Sequence, residues 1–420
     1  MIRTNNVYAQ RRQKVVATLP DQSALFLFAG EVKQRSLDGD YPFCVNRNFF
    51  YLTGLDEPGY VLQITKLGGQ ISQVLYIPRP DPYQERYFGH MPTDGEMLER
   101  TGMDRVVYLD KMDWELNRLF ARNYFEHLFM DFHKRELNTV AYPENDLARR
   151  IIQAHPYLQQ HNIARTIDNL RRFKDAQELA NIREAIRVTG LGIDSILRHM
   201  APGVNEHQLQ AYFEFELKYN GAMGNAFDPI IAAGANTVNL HYFRNNQDLK
   251  DGDLLLLDLG GEVGYYSADI SRTFPVNGKF TPRQRYYYDA VLAAQKAVID
   301  ALRPGLPVDD TLEIARDTLF EYCVQDGLTK DRKDMEILLP HGISHYMGLD
   351  THDVGDRGLL EPGMVVTVEP GIYLRDSGLG IRIEDDVLIT ETGHELLSPQ
   401  ILKDPDAIED YIQQSQNKKG

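Results

Sequence analysis

The segment Leu254-Leu255-Leu256-Leu257-Asp258, followed by Val263-Gly264 and Ser267-Ala268-Asp269-Ile270, decides how the rest of the chain can be arranged. An unbroken leucine run is typical of a strand buried on both faces, and here a carboxylate ends it. If the chain reverses at Val263-Gly264, Asp258 lies directly opposite Asp269, with Cβ atoms roughly 4.5 to 5.5 Å apart. Two like charges this close repel, so the pattern indicates a cation between them.

Two other interpretations of this segment stay open from the residues alone. Gly260-Gly261 is a competing hairpin signal, and a turn there would pair Asp258 with Val263 and separate the two carboxylates. An Asp that follows a strand is also commonly a turn residue. The metal interpretation therefore depends on other stretches of the chain.

Composition limits the class of protein. The 420 residues suffice for two or three domains, and 43% of them are hydrophobic, so the chain can bury sizeable cores. The net charge of −16 argues against nucleic acid or an anionic membrane as a partner, because phosphates need Lys and Arg. Only Cys44 and Cys323 occur, which excludes a disulfide scaffold and suits a reducing compartment. The residues after Met1 form no apolar leader, so we expect a cytoplasmic protein.

The pattern of apolar runs divides the chain. Residues 1–165 alternate strand-like runs, turn signals and helical stretches, which predicts an α/β domain without a complete active site. Residues 166–176 are basic at first and form the expected linker, with Asp175 and Glu178 as a capping box. The remainder, 177–420, is the expected catalytic domain.

This second domain shows a repeated plan. Helical spacing predicts helices over 179–200, 205–220, 281–303 and 308–324, and apolar runs predict strands over 227–232, 254–259, 265–274, 337–339, 364–369 and 381–390. Two helices and then strands, twice over, indicate a duplicated half. Such a fold can hold a site between its halves.

The segment His341-Gly342-Ile343-Ser344-His345 concentrates imidazoles, and His352 follows closely. Histidines four apart can bind zinc from a helix, but Gly342 and Ser344 make a helix unfavourable here. In an extended segment both imidazoles lie on one face and can reach one cavity. A lone histidine is usually structural, whereas three of the twelve histidines within twelve residues favour a site.

Acids follow two further apolar runs. Glu369 ends the run 364–368, as Asp258 ends the leucine run, and Glu384 follows 380–383. The run Glu384-Asp385-Asp386 could equally be a solvated turn. Together the candidate ligands are four carboxylates and one imidazole: Asp258, Asp269, His345, Glu369 and Glu384. Such a set suits manganese, iron or cobalt more than zinc, and its charge calls for two divalent ions about 3.5 to 4 Å apart, as in a dinuclear hydrolase.

These motifs, in this order, resemble the signature of the pita-bread metallopeptidases, and among them aminopeptidase P (Xaa-Pro aminopeptidase). The likeness rests on the two Asp residues, the segment 341–355, Val368-Glu369-Pro370-Gly371-Ile372-Tyr373 and Gly380-Ile381-Arg382-Ile383-Glu384-Asp385-Asp386. Residues 41–58 also resemble the amino-terminal domain of that family, so the likeness covers nearly the whole chain.

The resemblance implies an α/β (α+β) fold, with a duplicated pita-bread catalytic domain after a smaller α/β domain. It implies hydrolysis of the bond between an N-terminal residue and a following proline, by a hydroxide that bridges two divalent ions, Mn²⁺ first and Co²⁺ or Zn²⁺ as alternatives. It assigns the five ligands above to those ions, proton handling to Glu369, substrate contacts to His241, His341 and His352, and support to Tyr373 and Arg382. A homodimer or homotetramer is also implied.

Three points separate this chain from the simplest form of that prediction. Asn48 stands where some family members carry an acidic residue, which puts a contact to substrate or a neighbouring subunit in question. Arg357 could bind the free carboxylate of a dipeptide, which keeps a prolidase as an alternative. A metal-free pita-bread binding protein is a third possibility, although such proteins lose ligands that this chain keeps.

Overall fold

The computed structural model describes residues 7–132 and 142–417, and they form two compact units that divide between Leu170 and Arg171. Residues 1–6, on which the expected lack of a leader partly rests, lie outside this range. Within it, no helix combines the length and apolar character that crossing a membrane requires.

The first unit is built on one six-stranded sheet. Its helices are α1 Val7–Thr18, α2 Arg47–Thr53, α3 Pro82–Phe88, α4 Asp94–Thr101, α5 Met112–Phe120, α6 Pro143–Ala154 and α7 Ala164–Arg171, the last ending at the division between the units. Its strands are β1 Ser23–Phe28, β2 Val61–Leu67, β3 Gln70–Ile77, β4 Arg105–Tyr108, β5 His127–Met130 and β6 Gln159–Asn162, in the order β4-β3-β2-β1-β5-β6. One face of this sheet, with Phe26 and Met130, packs against α5 and α6.

The second unit surrounds several small sheets with longer helices. The helices are α8 Ala176–His199, α9 Glu206–Tyr219, α10 Pro282–Ala301, α11 Asp310–Gln325, α12 Met335–Leu338 and α13 Pro405–Asn417. The strands are β7 Gly224–Asn225, β8 Ile230–Ala233, β9 Leu254–Leu259, β10 Gly261–Val263, β11 Tyr266–Ser267, β12 Ile270–Pro275, β13 Val365–Val368, β14 Gly371–Leu374, β15 Leu379–Arg382, β16 Asp385–Ile389 and β17 His394–Leu396. They pair in the orders β11-β10-β7, β12-β9-β8, β13-β16-β17 and β14-β15.

Side-chain caps explain where the long helices begin. The Asp175 side chain accepts from the Glu178 N–H while the Glu178 carboxylate accepts from the Asp175 N–H, so the predicted capping box is confirmed. Asn205 with Gln208 begins α9 in the same way, and Thr281 begins α10. The predicted order of two helices followed by strands, twice, is therefore observed.

The leucine strand is buried as predicted, but its predicted register is wrong. Leu254, Leu255, Leu256 and Leu257 are all nearly inaccessible in β9, which lies between β8 and β12. Asp258 pairs with Ser271, not with Asp269. The reason is the turn: Gly264 and Tyr265, both with positive φ, are its two central residues, as a type I′ turn requires, so the reversal comes one residue later than expected.

The slip amounts to two residues, so it leaves the side chains on their predicted face. The pairs Glu262–Ser267 and Leu259–Ile270 keep one register, which places Gly260 opposite Asp269. A Cβ on Gly260 would lie 2.0 Å from the Ala268 carbonyl oxygen, so only glycine fits there. The alternative turn at Gly260-Gly261 is not formed.

Other predicted elements differ from those observed, and the strand predicted over 265–274 is two strands, β11 and β12. Residues 337–339 belong largely to the short helix α12 and not to a strand, because a brief apolar run does not distinguish the two structures. The predicted strand 381–390 is two strands, β15 and β16, interrupted at Ile383 and Glu384. The interruption is functionally relevant because it turns the Glu384 side chain towards β12.

Candidate metal centre

Five side chains that are distant in sequence come together at the strand ends of the second unit. Asp258 lies near the end of β9, and Asp269 precedes β12. Glu369 follows β13, and Glu384 lies between β15 and β16. His345 lies on a loop that is held against β13, where its N–H donates to Thr367 Oγ1 over 3.2 Å and its C=O accepts from Thr367 N–H over 3.0 Å.

The orientation of His345 is set by a backbone carbonyl. Its Nδ1 lies 3.0 Å from the Tyr346 carbonyl oxygen, which can only accept a hydrogen bond, so Nδ1 carries a proton. The other nitrogen, Nε2, then faces Asp269 Oδ2 at 3.4 Å and Glu369 Oε1 at 3.6 Å. With Nδ1 engaged in this way, Nε2 is the nitrogen that is left to bind a cation, and it faces two carboxylates that could bind the same cation.

One ligand atom each from Asp269, His345 and Glu384 lie within 4.8 Å of one another. Asp258 lies nearby but is not one of these three residues. Its Oδ1 is buried and has no hydrogen-bond partner among the described residues. Its Oδ2 accepts from Arg382 Nη2 over 2.6 Å. An unpaired buried carboxylate oxygen is costly, which again favours a cation nearby.

The carboxylates of this cluster perturb one another. Burial raises the pKa of Asp269 well above its ordinary range, and the charges of Asp258, Asp386 and Glu369 add to the shift. Burial likewise raises the pKa of Glu384 well above its ordinary range, with Asp269 as the next cause. The pKa of Glu369 rises to about 7, mainly through burial, although His345 and Arg382 oppose the shift. Without a cation, these groups hold their protons to unusually high pH.

Hydrogen bonds connect His341 to the cluster through Tyr373 and Arg382. Arg382 Nη1 donates to Tyr373 Oη over 2.9 Å, so the phenol proton is available for His341 Nε2, also at 2.9 Å. His341 Nδ1 in turn lies 2.7 Å from the Gly342 carbonyl oxygen. Burial and the Arg382 charge lower the pKa of His341 to about 4, so this imidazole is neutral at pH 7.

His352 stacks on His345, with ring centroids 4.1 Å apart. Burial, and then the neighbouring His345, lower the pKa of His352 to about 4. His241 is more exposed and lies near enough to His341 and His352 to contribute to both lowered pKa values. The three predicted substrate-contacting histidines therefore lie around one region beside the carboxylates.

A buried ionic cluster holds the loop that carries His352. Asp353 accepts from Lys174 Nζ over 2.8 Å and from Arg171 Nη2 over 2.5 Å, and the side chains of Lys174 and Asp353 are both 1% exposed. The Asp353 N–H also donates to the Tyr346 carbonyl oxygen over 2.8 Å. A Cβ on Gly348 would lie 2.2 Å from Asp353 Oδ2, so glycine is needed where the loop passes the cluster. His352 is thus carried by rigid surroundings.

Sequence reasoning missed three residues of this region. Ser271 bonds to Glu384, Asp386 Oδ2 accepts from the Asp269 N–H over 3.2 Å, and Asp353 anchors the histidine loop. The correct hairpin register would have found Ser271, because it places this residue opposite Asp258. Asp385 lies between Glu384 and Asp386 in sequence, but side chains alternate along a strand, so it points away from the carboxylate cluster. It bonds to Arg272, Lys403 and Ser398 instead.

Asn48 and Arg357, which put parts of the predicted function in question, both pair with acidic side chains. Asn48 is buried in the first unit, where Nδ2 donates to Asp131 Oδ2 over 3.1 Å and to Asp168 Oδ1 over 3.3 Å. Arg357 is 54% exposed and its Nη2 lies 2.8 Å from Asp309 Oδ1. Among the described residues, Arg357 makes no hydrogen bond to the carboxylate cluster, and its Nη2 lies 3.5 Å from the Ser344 carbonyl oxygen.

The donor set fits divalent cations. Hard carboxylate oxygens with one imidazole are ligands that manganese, cobalt and zinc accept. Among the described residues, the Asp258 Oδ1 atom has no hydrogen-bond partner, and His345 Nδ1 is engaged by a carbonyl so that Nε2 is left for a cation.

Comparisons with known proteins agree with this geometry. The family description "Metallopeptidase family M24" matches residues 180–391, and "Aminopeptidase P, N-terminal domain" matches residues 8–129. The Xaa-Pro aminopeptidase of Escherichia coli is 33% identical over 432 residues, which cover 96% of each chain. A Bacillus anthracis structure provisionally described as an aminopeptidase P is 39% identical, with a TM-score of 0.95 over 97% of this chain and 98% of that one.

A zinc-substituted E. coli aminopeptidase P, solved with its product, is 32% identical and has a TM-score of 0.90 over 97% of this chain and 98% of that chain. These matches confirm the predicted fold, a pita-bread domain preceded by a smaller α/β domain. The chain therefore belongs to the aminopeptidase P group of metallopeptidase family M24 and is a metal-dependent aminopeptidase.

Proposed function

We propose that this enzyme releases the N-terminal residue of peptides whose second residue is proline, with two divalent ions, Mn²⁺ as first choice, held by Asp258, Asp269, His345, Glu369 and Glu384. The observation that carries the proposal is the convergence of three carboxylates, those of Asp269, Glu369 and Glu384, around His345, with Asp258 held by Arg382 beside them. The names of the curated relatives supply the substrate class, since they are Xaa-Pro aminopeptidases.

Bound divalent ions would supply a water ionised near neutral pH and positive charge for the oxyanion of the reacting amide. The chain's own residues then divide the remaining work. Glu369, which lies 3.6 Å from His345 Nε2, would accept the proton of the attacking water and pass it on. His241 and His352 would contact the substrate amide, and His341 would line the pocket for proline.

Arg382 and Tyr373 support the site through hydrogen bonds to Asp258 and His341. Burial lowers the pKa of Arg382, but its four neighbours raise it by more, so the pKa lies above its ordinary value. These neighbours are Tyr373, Asp258, Glu384 and Glu369. Arg382 therefore remains a cation, restrains Asp258 and directs the Tyr373 hydroxyl at His341.

Substrate length separates the aminopeptidase from the prolidase alternative. We expect an Xaa-Pro-Xaa tripeptide to be cleaved after its first residue, and an Xaa-Pro dipeptide to react at least ~10-fold more slowly, because the exposed Arg357 is already paired with Asp309. An Xaa-Ala-Xaa tripeptide is the control for proline at the second position. Hydrolysis confined to the dipeptide would support a prolidase, and equal hydrolysis of the alanine peptide would remove the proline requirement.

Location and assembly are part of the same proposal. The two cysteines are free, one exposed and one buried, which suits a reducing compartment such as the cytoplasm. We expect a homodimer or homotetramer, as the family resemblance implies. Sedimentation velocity of the purified chain checks this, and a single species with the mass of one chain across micromolar concentrations would contradict it. Fractionation of the native cells, with a cytoplasmic marker, checks the location.

A further inference from the structure

Ser271 occupies a central position in the hydrogen bonds behind the carboxylate cluster. It lies on β12 directly opposite Asp258 and is fully buried. Its carbonyl oxygen accepts from the Glu384 N–H over 3.0 Å, and its Oγ lies 2.7 Å from Glu384 Oε2. Both the backbone and the side chain of Ser271 therefore hold Glu384.

The direction of the side-chain bond is determined by Arg382. Arg382 Nε donates to Ser271 Oγ over 2.8 Å, and a guanidinium cannot accept a hydrogen bond. The Ser271 oxygen is therefore the acceptor in that contact, and its single proton is free to point at the Glu384 carboxylate. A hydrogen bond to a carboxylate stabilises the ionised form, which is the form that binds a cation.

The same guanidinium also restrains Asp258 and Tyr373, as described above. Arg382 and Ser271 together thus connect two proposed ligands, Asp258 and Glu384, that lie on separate hairpins. Neither connection passes through solvent, because Ser271 is 0% exposed and Arg382 is 3% exposed. Rigid support of this kind tunes metal affinity through the orientation of the ligand.

We infer that Ser271 is a positioning residue of the metal centre, whose hydroxyl proton fixes the Glu384 carboxylate in its ligating orientation. This inference rests on the proposed function. It concerns a residue outside the five proposed ligands, whose hydroxyl bonds to Glu384 and Arg382. Its consequence is that the hydroxyl, and not merely the volume of residue 271, sets the affinity for a divalent cation.

The test measures Mn²⁺ binding to chelator-treated protein by calorimetry. Ser271→Ala is expected to weaken binding about 10-fold, since partners behind a ligand typically contribute 10- to 100-fold. Ser271→Thr and Ser271→Val form a matched pair that differs in a hydroxyl and a methyl group. We expect the threonine variant to bind within about 2-fold of the unmodified protein and the valine variant to bind as weakly as the alanine variant.

Ser398→Ala provides the control for loss of any buried serine. The Ser398 hydroxyl also donates to a buried carboxylate, Asp385, but that carboxylate binds Arg272 and Lys403 and not the cluster. Its midpoint of urea unfolding should fall as much as that of Ser271→Ala, while its Mn²⁺ affinity should stay unchanged.

The outcomes separate this inference from the proposed function. If the unmodified enzyme binds no Mn²⁺, the proposed function fails. If it binds Mn²⁺ and the alanine or valine variant binds equally well, only the role of Ser271 is refuted. The same holds if the threonine variant binds as weakly as the valine variant, because volume would then explain the loss.

Discussion

Asp269→Asn is expected to reduce peptide hydrolysis by more than ~10²-fold, a larger loss than the 10- to 100-fold typical of residues behind a ligand. Asp269 lies where its carboxylate meets His345 and Glu384, and an amide is a poor substitute for a charged ligand. Steady-state kinetics at saturating Mn²⁺ measure the loss. A variant that keeps a tenth of the activity would exclude Asp269 as a ligand.

The same substitution is expected to stabilise the metal-free protein. Burial and three neighbouring acids raise the pKa of Asp269, so folding at neutral pH must either bury its charge or take up a proton. Asparagine avoids both costs while nearly preserving the shape of the side chain. Relief on the order of 1 kcal/mol corresponds to a rise in Tm of about 2–4 °C. Asp410→Asn, at an exposed position of α13, removes an equal charge far from the cluster and should change neither activity nor Tm.

Removal of the metal is expected to have the second large effect. Chelation should lower the rate by roughly 10³-fold or more, because the remaining groups stabilise the oxyanion poorly without a cation. Added Mn²⁺ should restore the rate. Full activity in the chelated protein, verified free of metal by elemental analysis, would contradict a metallopeptidase mechanism.

The chelated protein should also lose stability as the pH rises from 6.5 to 8. The pKa of Glu369 is about 7 in the folded chain and about 4.5 in the unfolded one, so the folded state binds more protons within this interval and its stability falls as the pH rises. The raised pKa values of Asp269 and Glu384 extend the loss to higher pH.

Below pH 6.5 two histidines have the opposite effect, because they make the folded protein less stable as the pH falls. His341 and His352 have pKa values lowered to about 4, so their contribution is complete above pH 6.5 and is lost only as the pH falls. Urea unfolding at pH 6.5 and 8, with and without Mn²⁺, therefore isolates the carboxylates. Equal stability of the chelated protein at both pH values would show that the pKa values of the clustered carboxylates are not raised.

The sequence by itself determined the elements that place the ligands. The leucine run predicts a buried segment, since burial removes its side chains from water, and its shortness before Asp258 favours a strand. The capping boxes at Asp175 and Asn205 are local, so the starts of α8 and α9 could be predicted. The five proposed ligands could be named because Asp258, Glu369 and Glu384 follow apolar runs, the histidines cluster, and the ordered motifs, Asp269 among them, resemble those of the pita-bread metallopeptidases.

Only the tertiary structure decided how those residues are arranged and supported. The hairpin register depends on which residues of the turn adopt positive φ, and Tyr265 does so although its side chain does not favour it. The partners of the site residues come from remote segments, as when Ser271 meets Glu384 and Lys174 meets Asp353, because such contacts form only where elements far apart in sequence pack together. The direction of the His345 lone pair and the pKa of Glu369 likewise depend on burial and neighbouring charge, which no local pattern encodes.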